Sequence, residues 1–120
     1  MEKLSMEIGS DLRHVLAEVG TAWKAAEAGQ PVEATRRVCF VDWAALCAVM
    51  TPKRYDLIRH LHQHPAPGIR ALARSLERDV KRVHEDVTVL EELGLIRRDP
   101  ETGALSVTID EVSSTIRFAA

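Results

Sequence analysis

The period of apolar and polar residues changes several times along the 120-residue chain, and each change marks an element. Leu4, Met6 and Ile8 alternate with polar residues, the two-residue period of a strand covered on one face, and Gly9 ends it. From Ser10, an N-cap residue type, Leu12, Val15, Leu16, Val19, Ala22, Trp23 and Ala26 recur every three or four positions as far as Gly29-Gln30-Pro31. That spacing predicts an amphipathic helix. Val38-Cys39-Phe40-Val41 is a short run rich in β-branched residues and predicts a strand. Behind Asp42 as cap, Trp43, Leu46, Cys47 and Met50 return to helical spacing.

A second unit begins at Thr51. Threonine as N-cap with Pro52 at the first helical position is a helix start, because proline lacks the N–H that would be orphaned there. Tyr55, Leu57, Ile58 and Leu61 give this helix a buried stripe, and His64-Pro65-Ala66-Pro67-Gly68 stops it. A shorter helix follows with Ile69, Leu72, Ala73 and Leu76 facing inward, then the turn Glu77-Arg78-Asp79. A third helix carries Val80, Val83, Val87 and Leu90 on one stripe and ends at Leu93 with Gly94 in the C′ position. Leu95–Arg98 and Leu105–Ile109 then flank the turn residues Asp99-Pro100-Glu101-Thr102-Gly103, the signature of a β-hairpin.

Three short helices followed by a hairpin is the order of a winged helix-turn-helix, so the expected fold is α+β. The winged helix spans residues 51–112, with a strand-helix-strand-helix extension over 1–50 and a tail over 113–120. Small Ala73 on the inner face of the second helix lets the third cross close against it. A 100° step per residue then turns Lys81, Arg82, Glu85, Thr88, Val89 and Glu92 of the third helix outward. The candidate DNA-binding residues are Lys81 and Arg82 near its start, Glu85 and Thr88 behind them, Arg74 and Arg78 on the preceding helix and turn, and Arg97 and Arg98 at the wing. Of the last pair, one points outward and the other toward the sheet.

Charge sharpens this picture. The formal net charge of −2 hides an asymmetry: residues 1–50 hold five basic and seven acidic side chains, 51–98 ten and seven, and 99–120 one and four. A basic block between acidic flanks suits a localised anionic partner. With 46% hydrophobic residues and mixed charges the chain is neither a disordered tail nor a membrane protein, since no apolar run nears the length of a membrane span. The opening MEKLSMEIGS does not read as a signal peptide, so the expected compartment is the cytoplasm. Cys39 and Cys47 read as core thiols of a reducing interior. His60 and His64 are four apart on a helix, but nothing local completes a tetrahedral metal set, and His14 and His84 have no paired nucleophile. No catalytic residue, cofactor or metal is expected.

TPKRYDLIRHL, IRALARSLERDVKRVHEDVTVLEELGLI and the hairpin to Ile109 resemble MarR-like winged-helix transcriptional regulators. They resemble most closely a group of short predicted regulators encoded beside small toxins as antitoxins of the TumA type. The resemblance implies binding of double-stranded DNA, autoregulation as a repressor, and capture of a co-encoded toxin. Its relatives commonly carry a basic residue where this chain has Glu85 and another near Thr88, so this recognition helix is the less positive one. The alternative is a protein-interaction winged helix that does not bind DNA. A homodimer is expected through the apolar stripe of the first helix, and the acidic termini offer a surface for a basic toxin.

Overall fold

The computed structural model describes residues 2–9, 27–29, 35–116 and 118. The chain is α+β. In order, the elements are β1 (Lys3–Ile8), β2 (Thr35–Phe40), α1 (Trp43–Val49), α2 (Pro52–Gln63), α3 (Ile69–Leu76), α4 (Val80–Glu92), β3 (Arg97–Arg98), β4 (Leu105–Ser106) and β5 (Glu111–Thr115). The helix expected over 10–26, with its stripe and Trp23, lies outside the described residues. No helix among the described residues is long and apolar enough to cross a membrane.

Capping explains where the helices start and stop. Asp42 caps α1 by accepting from the backbone N–H of Ala45 at 2.8 Å, Thr51 caps α2 by accepting from Arg54 N, and Asp79 caps α4 by accepting from Arg82 N. Each side chain satisfies a donor that the first turn leaves free. At the far end of α4, Gly94 N–H donates to Glu91 O and Leu95 N–H to Leu90 O, with Gly94 at φ +84°. This is a Schellman closure, and it folds buried Leu95 back toward buried Leu90.

The core is a single cluster. Leu57 and Leu61 of α2, Leu72 and Ala73 of α3, and Val83, Val87 and Leu90 of α4 pack with Leu95, Ile96, Leu105, Val107 and Ile109. Leu4 and Met6 of β1 and Leu46 of α1 belong to the same cluster, so β1 and α1 contribute to the core of the helices. Val80, expected in the buried stripe, is 44% exposed, because it opens α4 ahead of the turns that meet α3. Tyr55, in the first turn of α2, and Trp43, the first residue of α1, are also exposed. Cys39 and Cys47 are not core thiols: both are exposed. For Cys39 the reason is strand alternation, since Val38 and Phe40 pack toward the core and Cys39 pairs in register with Glu7 on the other face.

Two sheets complete the fold. β3 and β4 pair antiparallel around the 99–103 turn, where Asp99 accepts from the N–H groups of Glu101 and Thr102 and Gly103 takes φ +76°. Ala66, in the loop after α2, bonds both ways with Leu105 and so fixes this hairpin to the helices. The second sheet has the order β2-β1-β5, with β1 parallel to both neighbours. Residues 113–115, expected in a tail, lie in β5, and the expected strand pair is a three-stranded sheet. His62 of α2 and the backbone N–H of Glu2 both bond the Asp110 carboxylate, tying the entry to β5 against the helices. The His62 bond above all, with the Glu2 N–H second, holds the Asp110 carboxyl below the ordinary carboxylate range.

Candidate nucleic-acid interface

The surface formed by α3, the turn after it and α4 rests on one tight packing contact and one ionic cluster. Ala73 and Leu72 are buried at the α3–α4 contact, where a larger side chain than alanine would hold the helices apart. Glu77 then takes φ 53° and ψ 46°, the left-handed conformation, and is the one described residue other than glycine with positive φ. This reverses the chain after α3, with Arg78 N–H returning to Ala73 O. Asp79 starts α4 two residues later.

Asp86, on the middle of α4, holds the cluster together. It accepts from Arg54 Nε at 2.9 Å and from Arg78 Nη2 at 2.6 Å, and Arg54 Nη1 also donates to Val49 O at 2.8 Å. The three charged side chains are 13% (Asp86), 17% (Arg54) and 18% (Arg78) exposed. One carboxylate thus joins the end of α1, the start of α2, the α3–α4 turn and α4. Burial pushes the Asp86 carboxyl up, but the bonds from Arg54 and Arg78 and the charges of both guanidiniums outweigh it, and the carboxyl is held below the ordinary range. Two cations face one anion, so the cluster keeps a positive charge. Beside it Lys53, Arg82, Glu85 and Thr51 complete the rim of an open depression of about 390 Å³.

The expected site residues separate into two groups. Lys81, Arg82 and Glu85 of α4, Arg74 of α3 and Arg97 of β3 are exposed. Among the described residues none of these five takes part in an ion pair. Glu85 therefore does not neutralise Lys81 or Arg82, although helical spacing allows it. The second group is committed to structure. Arg78 is held by Asp86, Arg98 donates from Nε to Glu91 at 3.1 Å, and half-buried Thr88 donates its hydroxyl to His84 O at 2.9 Å. Of the two hairpin arginines, Arg97 points outward and Arg98 toward α4.

Asp86, Arg54 and Lys53 were not singled out by sequence reasoning. The readable signal for Asp86 is its position beside Val83 and Val87, where a carboxylate at the margin of a buried stripe calls for a cationic partner. The His60 and His64 rings lie tilted to each other with centroids 5.2 Å apart, and among the described residues no group of three possible metal ligands comes together.

Neither the curated proteins nor the solved structures give a significant match to the chain. A family model, HVO_A0114, matches residues 49–114. The match takes in α2, α3, α4, the β3–β4 hairpin and most of β5, more than half of the sequence. On that extent the chain belongs to the HVO_A0114 family.

Proposed function

We propose that the chain is a sequence-specific double-stranded DNA-binding transcriptional regulator of winged helix-turn-helix architecture. In this reading α3 and α4 are the helix-turn-helix, α4 enters the major groove by its N-terminal half, and the β3–β4 hairpin is the wing. One observation carries it: Lys81 and Arg82 on α4, Arg70 and Arg74 on α3 and Arg97 on the hairpin face solvent and are not spent on internal ion pairs. Arg78 and Arg98 stand behind them and fix α4 in place. Glu85 suits base readout, because a carboxylate is repelled by phosphate and accepts from an amino group such as that of cytosine.

The resemblance to MarR-like regulators supports the same reading and extends it to a repressor of its own promoter that acts as an antitoxin. A homodimer belongs to the proposal, since one helix of this length reads only a few base pairs and two half-sites ~34 Å apart give a small regulator its specificity. The test is binding to the DNA upstream of the chain's own coding sequence as a function of salt. If six phosphates are contacted, log affinity falls against log salt with a slope of about −5. Lys81→Ala with Arg82→Ala weakens binding far more than Lys3→Ala with Lys24→Ala. A salt-insensitive complex, or no complex, favours the protein-interaction module. Co-expression and pull-down with the neighbouring gene product test the antitoxin half.

A further inference from the structure

We infer that two copies of the chain pair through β5, antiparallel, about a twofold axis at Ser114, so that two three-stranded sheets join into one of six strands. This gives the proposed homodimer an interface away from the first helix, and it does not depend on DNA binding.

The order β2-β1-β5 leaves two sheet edges among the described residues, and they are unlike. The β2 edge carries Arg36 and Arg37, charges of the kind that keep edges from pairing. β5 has one charge, Glu111, no lysine or proline, and an unbroken register with β1, and all five of its residues are exposed. Its outward backbone groups form a ready template for another strand.

The chemistry of the strand says which partner fits. A twofold axis perpendicular to the sheet keeps each side chain on its own face, so a residue can lie opposite only one of the same parity. With the axis at Ser114, Val112 meets the partner's Ile116 and Ser113 the partner's Thr115. Val112-Ser113-Ser114-Thr115-Ile116 is thus its own complement when reversed: apolar on apolar, hydroxyl on hydroxyl. An axis at Ser113 would set Val112 against serine and Glu111 against threonine.

The faces agree with this register. Val112 pairs with Leu4 and Ser114 with Met6, so Val112, Ser114 and Ile116 share the side of β1 that enters the core. There Val112 is 41% and Ile116 is 45% exposed. A depression of about 450 Å³ with apolar and charged walls, Met50, Ile58, Val112, Arg59, Asp110 and Glu111 among them, opens beside them. The same register sets the partner's Ile116 beside Val112, at the rim of this depression. Each copy would cover the other's exposed apolar surface.

The experiment combines sedimentation with cysteine cross-linking in a Cys39→Ser/Cys47→Ser background. The wild type sediments as a dimer at micromolar concentration. Ser114→Cys forms a disulfide-linked dimer under mild oxidation, whereas Ser113→Cys does not, its two copies being separated beyond the ~7 Å that a disulfide spans. Val112→Lys sets a charge against the partner's Ile116 and weakens the dimer at least about tenfold. A monomeric wild type overturns both the homodimer and this interface. A dimer that cross-links equally through both positions, or through neither, overturns the interface alone. DNA binding by the same preparations, measured in parallel, reports on the functional reading independently.

Discussion

Replacing Asp86 by asparagine tests how α4 is held. The substitution keeps the shape of the side chain but removes the charge that two guanidiniums share at 2.6 and 2.9 Å. Breaking a buried ion pair from one side costs about 3–5 kcal/mol, because the partner charge stays buried and unpaired. Here two arginines lose their partner and face each other, but their residual exposure of 17% and 18% admits some water, which sets the expected loss near the lower bound, about 3 kcal/mol. For a chain of this length that lowers the melting temperature by roughly 10 °C. Urea unfolding followed by circular dichroism measures it directly. Glu91→Gln is the control: its pair with Arg98 is 34–36% exposed, and such pairs contribute at most about 1 kcal/mol. The pH dependence has a definite sign. A carboxyl whose pKa is lowered by folding stabilises the fold above its unfolded value, and that contribution is lost as pH falls through the folded value. The difference between wild type and Asp86→Asn is therefore constant from neutral pH down to about 4 and shrinks below it. Equal losses for Asp86→Asn and Glu91→Gln, or a difference that grows on acidification, would refute the reasoning.

Three further outcomes follow from packing and backbone geometry. Leu90→Ala costs about 2–5 kcal/mol because Leu90 is fully buried, whereas Val80→Ala costs under about 0.5 kcal/mol in the same denaturation assay. Glu77→Gly relieves a left-handed residue and raises stability by up to about 1 kcal/mol; a loss would show that the Glu77 side chain has a role that its backbone does not reveal. Ala73→Leu forces α4 away from α3, destabilises by about 1–3 kcal/mol, and broadens the amide resonances of residues 72–90.

The helical unit is legible in the sequence because its signals are local. Thr51-Pro52 and Gly94 mark ends by capping chemistry, and the stripes of α2, α3 and α4 follow a period that a short window reveals. β5 is illegible for the opposite reason. Glu-Val-Ser-Ser-Thr has one apolar residue and no alternation, and its partner in register begins 108 residues earlier at Lys3, a pairing that only tertiary packing can specify. Val80 shows the limit of periodicity, which states that a face is apolar but not how far along the helix the partner extends. The basic surface was readable as a set of cations. Which of them remain available was not, because that depends on Asp86 reaching Arg54 across 32 positions and on Glu91 reaching Arg98.

In the proposed function, the exposed face of α3, α4 and the hairpin meets DNA. Titrating isotopically labelled protein with a duplex from its own upstream region, and following backbone amide shifts by NMR, tests this most directly. The largest shifts are expected at residues 70–74, 79–85 and 97–103, and are lost in Lys81→Ala with Arg82→Ala. Shifts centred on β2 or the α1 surface, or none at any salt concentration, would contradict it.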